Sequence, residues 1–229
     1  MYDDLKQQVY DANMGLQKHG LVVFTWGNVS GLDRRHGVVA IKPSGVSYEK
    51  LTPNTMAIVD LQGQVVEGDL RPSSDTPTHL ELYRSFAGLG GICHTHSPYA
   101  TMWAQAQREI PCFGTTHADH FYGPVPVTEA LARGEIDGPY EQNTGRVIVR
   151  RFANLNPLQI PAVLVAQHGP FTWGADPAQA VENALVLEQV ARMAYGTVTI
   201  NAAQPAILQA LLDRHYLRKH GRDAYYGQR

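Results

Sequence analysis

Gly90-Gly91-Ile92-Cys93-His94-Thr95-His96-Ser97-Pro98 carries an apolar run that ends in two histidines one residue apart, with a Ser-Pro helix start directly behind them. Side chains alternate faces along a strand, so His94 and His96 point the same way and can offer two imidazole nitrogens to one metal ion. Cys93 then faces the opposite side, where a small buried hydrophobe is the natural reading. Taken alone, His-x-His reads equally well as a hydrogen-bonded pair at a strand end, and the rest of the chain has to choose.

Further along, Ala162-Val163-Leu164-Val165-Ala166 reads as another buried strand, and it too runs out in a histidine, at Gln167-His168-Gly169. Two histidines from one strand and a third from another suit a tetrahedral catalytic zinc with one position open. The competing reading of His168 is a core histidine; its place before Gly169-Pro170, where a strand breaks, favours the ligand. Asp75, within Arg71-Pro72-Ser73-Ser74-Asp75-Thr76-Pro77, is either a fourth, oxygen ligand or only a cap for the helix that begins beside it.

Around these strands, Leu5, Val9, Ala12 and Leu16 recur at helical spacing and predict a helix over 3–19, stopped by Gly20. Short apolar runs predict strands at 21–24 and 38–41, and a hairpin of 58–61 with 64–67 across Gln62-Gly63. Proline at a first helical position predicts helices from Thr76-Pro77, from Ser97-Pro98 to Ala106, and from Asp176-Pro177. Pro205 starts a last helix that stops near His220-Gly221. Helices are also expected at 129–133 and 144–152, while 111–119 reads as irregular or strand-like. No repeat, low-complexity run or linker interrupts residues 1–229. The expected fold is one α/β domain: a central, mostly antiparallel sheet covered by helices on its faces.

Hydrophobic residues make up 44% of the 229 and charged ones 17%, against roughly 25% charged in a typical soluble domain; the shortage points to surface buried in an oligomer. A net charge of −2 without a Lys/Arg block argues against nucleic acid or an anionic membrane as partner. No run approaches the roughly 20 apolar residues of a transmembrane helix, and Met1-Tyr2-Asp3-Asp4 has no signal-peptide character. Cys93 and Cys112 give no disulfide framework, which suits a reducing, cytoplasmic setting.

Small polar loops supply candidate anion sites: Asn28, Ser44-Gly45 after Lys42-Pro43, and Ser73-Ser74 ahead of a helix N-terminus. Backbone N–H groups, hydroxyls and the Lys42 charge could cradle a phosphate there. With no GxxxxGK[ST], and no GxGxxG after a strand, a nucleotide is not the expected ligand. Asp119 and the terminal Tyr225-Tyr226 are candidates for proton transfer; as bare residues they read as well as a loop carboxylate and a surface anchor.

Seven segments, taken in order, resemble the L-ribulose-5-phosphate 4-epimerase family of the class II aldolase/adducin-head superfamily. They are Thr25-Trp26-Gly27-Asn28-Val29-Ser30, Ile41-Lys42-Pro43-Ser44-Gly45-Val46, Pro72-Ser73-Ser74-Asp75-Thr76-Pro77-Thr78-His79, His94-Thr95-His96-Ser97, Gly114-Thr115-Thr116-His117-Ala118-Asp119, His168-Gly169-Pro170-Phe171 and His215-Tyr216-Leu217-Arg218-Lys219-His220-Gly221. The resemblance runs the length of the chain, to Tyr226-Gly227-Gln228.

It implies zinc held by Asp75, His94, His96 and His168, and substrate or phosphate contacts at Gly27, Asn28, Ser44, Gly45, Ser73 and Ser74. Asp119 and Tyr226 match the acid/base pair, and Thr115, Glu141 and His215 match positions lining the same site. A four-fold ring of subunits is implied, with each site at an interface, so that Asp119 or the tail completes a neighbour's site. The implied reaction converts L-ribulose 5-phosphate to D-xylulose 5-phosphate by breaking and re-forming C3–C4, in an arabinose, ascorbate or related pentose route. Aldolases of the superfamily carry Glu where this chain has Asp75. There the Glu acts as a base, and the shorter Asp is expected to stay on the metal. An aldolase that releases its aldehyde fragment is the alternative expectation.

Overall fold

Helix α1 (Asp3–Lys18) opens the chain and lays Val9, Ala12 and Leu16 against the sheet. The strands are β1 (Asn28–Asp33), β2 (Val38–Ile41), β3 (Ala57–Asp60), β4 (Val65–Glu67), β5 (Gly91–His94), β6 (Ala162–Leu164) and β7 (Pro170–Gly174). In this computed structural model, which describes residues 1–226, they form one antiparallel sheet in the order β4-β3-β2-β1-β5-β7-β6. The remaining helices are α2 (Thr76–Ser85), α3 (Pro98–Gln105), α4 (Thr115–Ala118), α5 (Arg133–Ile136), α6 (Tyr140–Arg151), α7 (Pro177–Ile200) and α8 (Gln209–His220). Gly227, Gln228 and Arg229 at the end of the tail lie outside the described residues.

The sheet is covered on both faces, as expected. On one face α2 and α6 bring Leu80, Leu82, Tyr83, Ile148 and Phe152 onto Val39, Val59, Ile92, Phe171 and Trp173. On the other, α1 and α7 bring Leu16, Ala180, Val181 and Ala184 onto Val29 and Cys93. Ile92 and Cys93 thus point to opposite faces, the alternation on which the His94 reading rested. Helix α7 approaches β5 so closely that a Cβ on Gly91 would sit 2.3 Å from the carbonyl oxygen of Asp176; only glycine fits there. None of the described helices is long and apolar enough to cross a membrane.

Several elements differ from the sequence reading. Residues 21–24 form no strand: Leu21 tucks into the α1/α7 core, Val23 and Phe24 face solvent, and Phe24 turns the chain at φ 55. The sheet takes the more polar Asn28–Asp33 instead, whose first residues are buried between β2 and β5. β7 has no counterpart in that reading; it begins with Pro170, acceptable at a strand's first residue because no ladder donor is lost inside the strand. The segment read as strand-like contains α4. Helical turns fall at 133–136 instead of 129–133, α6 starts at Tyr140, and α8 starts at Gln209, beyond Pro205. Asp75 stands at the N-cap of α2 in place of Thr76, without capping it through its side chain.

Candidate metal centre

The register of the sheet makes the site. Asn28 of β1 pairs with His94 of β5, and His94 pairs with Phe171 of β7, so these residues form one row across the sheet. His94 is the last residue of β5 and His96 lies just beyond it, yet their Nε2 atoms stand 3.1 Å apart. His168 rides on the tight turn between β6 and β7, where the N–H of Val165 bonds the carbonyl of Gly169. Its ring centroid is 4.8 Å from that of His94 and 5.1 Å from that of His96. Each of the three rings has a nitrogen within 4.8 Å of one from the others.

The protons on these rings can be assigned from their partners. Nδ1 of His94 lies 2.9 Å from the carbonyl oxygen of Pro170, which can only accept, so Nδ1 donates and Nε2 is the nitrogen turned toward the other two rings. Phe171 stacks on the same ring at 4.2 Å and fixes its plane. Burial, with His94 and His96 adding to it, pushes the pKa of His168 down to about 3, and burial followed by His94 also lowers that of His96. Burial thus works against charge on His168 and His96, and Nδ1 of His168 is buried without a hydrogen-bond partner. Such an arrangement is a donor set suited to a divalent cation.

Asp75 lines the same cavity, and its Oδ2 accepts a 2.6 Å hydrogen bond from Nδ2 of Asn28. Burial raises its pKa, but His94, His79 and the Asn28 hydrogen bond outweigh that and hold the carboxyl below the usual carboxylate range. Three imidazoles and a carboxylate suit a borderline metal better than calcium or magnesium, which prefer all-oxygen sites.

The cavity, of about 430 Å³, is lined by this cluster and also by Gly27, Asn28, Lys42, Ser44, Gly45, Ser73 and Ser74. A bridge between Pro43 and Pro72 brings the two loops together, with Ser44 N–H on the Arg71 carbonyl and Ser73 N–H on that of Lys42. Gly27 is required: at φ 75, a Cβ would lie 2.7 Å from Val22 and 3.0 Å from the His94 carbonyl. Lys42 is buried, with its ammonium donating to the Thr25 carbonyl and lying 5.0 Å from the Tyr48 ring, and burial lowers its pKa to about 8. Glu141 lines the cavity at the start of α6. Tyr140 beside it lines the cavity too, and was missed; a tyrosine directly after Gly138-Pro139, at a helix start next to Glu141, was the available signal.

The remaining candidates lie elsewhere on this chain. Thr115, Asp119, His215 and Tyr226 do not line the histidine cavity. Asp119 closes α4 and accepts from His215 Nδ1 at 3.0 Å and from Arg218 Nη2 at 2.9 and 3.0 Å, with Lys219 at 3.6 Å. Burial raises its pKa, but the hydrogen bonds from Arg218 and His215 outweigh it and keep the carboxyl below its ordinary value. Tyr226 lies over the same cations, 4.4 Å from the Arg218 guanidinium and 4.9 Å from the Lys219 ammonium. Thr115 sits one turn back, its carbonyl accepting the Asp119 N–H. The two expected proton-transfer residues are thus together, but in a second cluster.

Residues 7–195 match the Class II Aldolase and Adducin N-terminal domain family. The chain is 56% identical over 225 residues to L-ribulose-5-phosphate 4-epimerase UlaF of Salmonella paratyphi B, spanning 98% of this chain and 99% of that protein. Among solved structures, an L-fuculose 1-phosphate aldolase superposes with a TM-score of 0.72 at 26% identity, covering 92% of this chain and 95% of that one. The L-fuculose 1-phosphate aldolase of Glaciozyma antarctica PI12 shares the fold at a TM-score of 0.79 and 16% identity, over 97% of this chain and 84% of its own.

Proposed function

This chain belongs to the class II aldolase and adducin N-terminal domain family, and from that premise we propose that it is a zinc-dependent isomerase inverting C4 of L-ribulose 5-phosphate to give D-xylulose 5-phosphate. The observation that carries the reading is the convergence of three imidazoles and a carboxylate on a cavity that is also lined by a buried lysine and paired serines. His94, His96, His168 and Asp75 would hold the metal, which when bound supplies a Lewis acid for negative charge developing on the sugar oxygens.

The C4 hydrogen is not acidic, because no carbonyl is adjacent, so direct deprotonation of that carbon is not a usable route. Loss of the C4 hydroxyl proton instead lets C4 become an aldehyde as the C3–C4 electrons move into an enediolate. Rotation of the aldehyde, re-formation of C3–C4 on its other face and return of a proton complete the inversion. Lys42, Ser44, Gly45, Ser73 and Ser74 hold the phosphate so that the fragment turns without leaving. Asn28 keeps Asp75 oriented, which supports a structural rather than a basic role for that carboxylate. Asp119, held ionised by Arg218 and His215, and Tyr226 are the proton-transfer groups for the two faces, with Thr115 and His215 beside them.

Since these lie apart from the histidine cavity of their own chain, the site we propose is completed by a neighbouring subunit of a homotetramer. Exposed Met193, Tyr195, Ile200, Leu208, Leu211 and Leu217 on α7, α8 and the segment between them suit a buried contact. The free thiols of Cys93 and Cys112 suit a reducing cytoplasm. The test is a coupled assay on metal-analysed protein with L-ribulose 5-phosphate. D-xylulose 5-phosphate is the expected product; glycolaldehyde phosphate accumulating without it would replace the epimerase by an aldolase.

A further inference from the structure

Glu188 is a buried carboxylate that the proposed chemistry leaves without a task. It lies on α7 where that helix packs on α3, an expensive place for a charge unless hydrogen bonds replace the lost water. Its two oxygens accept the backbone N–H groups of Tyr99 and Ala100, at 2.9 and 3.0 Å. Those are donors that the first turn of α3 cannot satisfy within itself. Ser97 at the N-cap supplies no side-chain cap, so a carboxylate from another helix takes that place, its charge facing the positive end of the α3 dipole.

Helix α3 in turn touches both arms of the histidine cluster. Its N-terminus follows His96 with only Ser97 between them. Near its other end, the carbonyl of Ala104 accepts the N–H of Gln167 at 2.9 Å, and Gln167, at φ 62, precedes His168. A Cβ on Gly169 would stand 2.9 Å from the Thr95 carbonyl oxygen and 3.6 Å from Oγ1 of Thr101 on α3, so this turn sits directly against the helix. The β5–β7 ladder ends at His94 with Phe171 and leaves His96 outside the sheet. Beside the weak bond from the Thr95 N–H to the Pro170 carbonyl, at 3.4 Å, α3 is a strut between the segments that carry His96 and His168. Trp103 Nε1 donating to the Ala191 carbonyl at 3.0 Å, and Arg192 lying 5.6 Å from the Tyr99 ring, seat that strut on α7 beside Glu188.

We propose that Glu188 is a positioning residue of the metal centre: by fixing α3 on α7 it sets the separation of His96 and His168, and with it the affinity for a divalent ion. This rests on the metal reading above. Glu188→Gln keeps the side-chain shape but turns one acceptor into an NH2 group that faces an N–H. Competition against a chromophoric chelator is expected to give a zinc dissociation constant raised about tenfold or more, and the cobalt-loaded protein is expected to show shifted visible bands. Lys6→Met, which breaks the half-buried ion pair with Glu67 at the β4 edge, is the control: it lowers the melting temperature and leaves both metal readouts unchanged. Trp103→Phe removes the neighbouring α3–α7 hydrogen bond and is expected to weaken zinc in the same direction by a smaller factor; it carries the test should Glu188→Gln not fold. Wild-type zinc affinity in the folded variants overturns the proposal while leaving the metal centre standing. Wild-type protein that takes up neither zinc nor cobalt overturns the metal reading, and the proposal with it.

Discussion

Lys42 carries its charge into a buried place where, among the described residues, no carboxylate pairs with it. On the proposed reading the substrate phosphate pairs with it, so Lys42→Met is expected to cut kcat/KM by about thirty- to a hundred-fold, chiefly through KM, the scale of a lost charge-assisted hydrogen bond. The stability effect has the opposite sign. With a folded pKa near 8, below the ordinary lysine value, the unfolded chain binds more protons between about pH 8 and 10.5, so the burial penalty is complete below pH 8 and relieved above it. Lys42→Met should therefore be more stable than wild type at pH 7, by on the order of 2 kcal/mol, and the gap should narrow toward pH 10.5. Denaturant titrations at both pH values read it, and a gap that does not narrow would refute the assignment. Gly27 allows a simpler test. Alanine there must hold φ 75 and push against Val22 and the His94 carbonyl, for a cost of about 2 kcal/mol or more with loss of bound metal. Equilibrium unfolding and metal analysis of Gly27→Ala measure both.

Helices α4 and α8 meet at Asp119, and that junction sets an acid limb. The titratable groups around the carboxyl are His215, Arg218, Lys219 and His220 of α8, His120 on its own segment, and Glu182 of α7 beyond His120. Arg218→Met removes the largest influence holding the Asp119 pKa down. The acidic limb of kcat/KM is then expected to move to higher pH; a limb that stays in place removes Asp119 from proton transfer. This junction also marks how far the sequence could be read. The histidine row was legible because His96, two residues past the end of β5, still falls on the side of His94, and the helix starts at Pro77, Pro98 and Pro177 because proline fixes φ at a first turn. Residues 21–24 misled because an apolar run can line a core through Leu21 alone and then turn out to solvent at Phe24. β7 was hidden because a strand opening with proline, buried on both faces, shows no alternation. The approach of Asp119 to Arg218, 99 residues away, is tertiary and leaves no local pattern.

The whole molecule poses one remaining question: whether the two clusters act on one substrate. The cavity lined by the histidines also holds Lys42 and the serines but no Asp119 or Tyr226, and the Asp119 cluster holds none of the three histidines. If a neighbouring copy brings the second cluster to the first cavity, each chain serves two sites, and defects in different chains can complement. His168→Asn removes a proposed metal ligand, and Tyr226→Phe a proposed proton-transfer hydroxyl. Each alone is expected to lose nearly all turnover, while Tyr226→Phe keeps its metal. Mixed by reversible dissociation in equal amounts, they form rings in which some sites pair an intact histidine set with an intact tyrosine from the next chain. Random mixing gives roughly a quarter of such sites, and so roughly a quarter of wild-type activity. If instead each site is built from one chain, every subunit in the mixture carries one lesion and no recovery occurs. Activity above the sum of the separate variants, measured with the product-specific coupled assay, supports the shared site; activity equal to that sum rejects it.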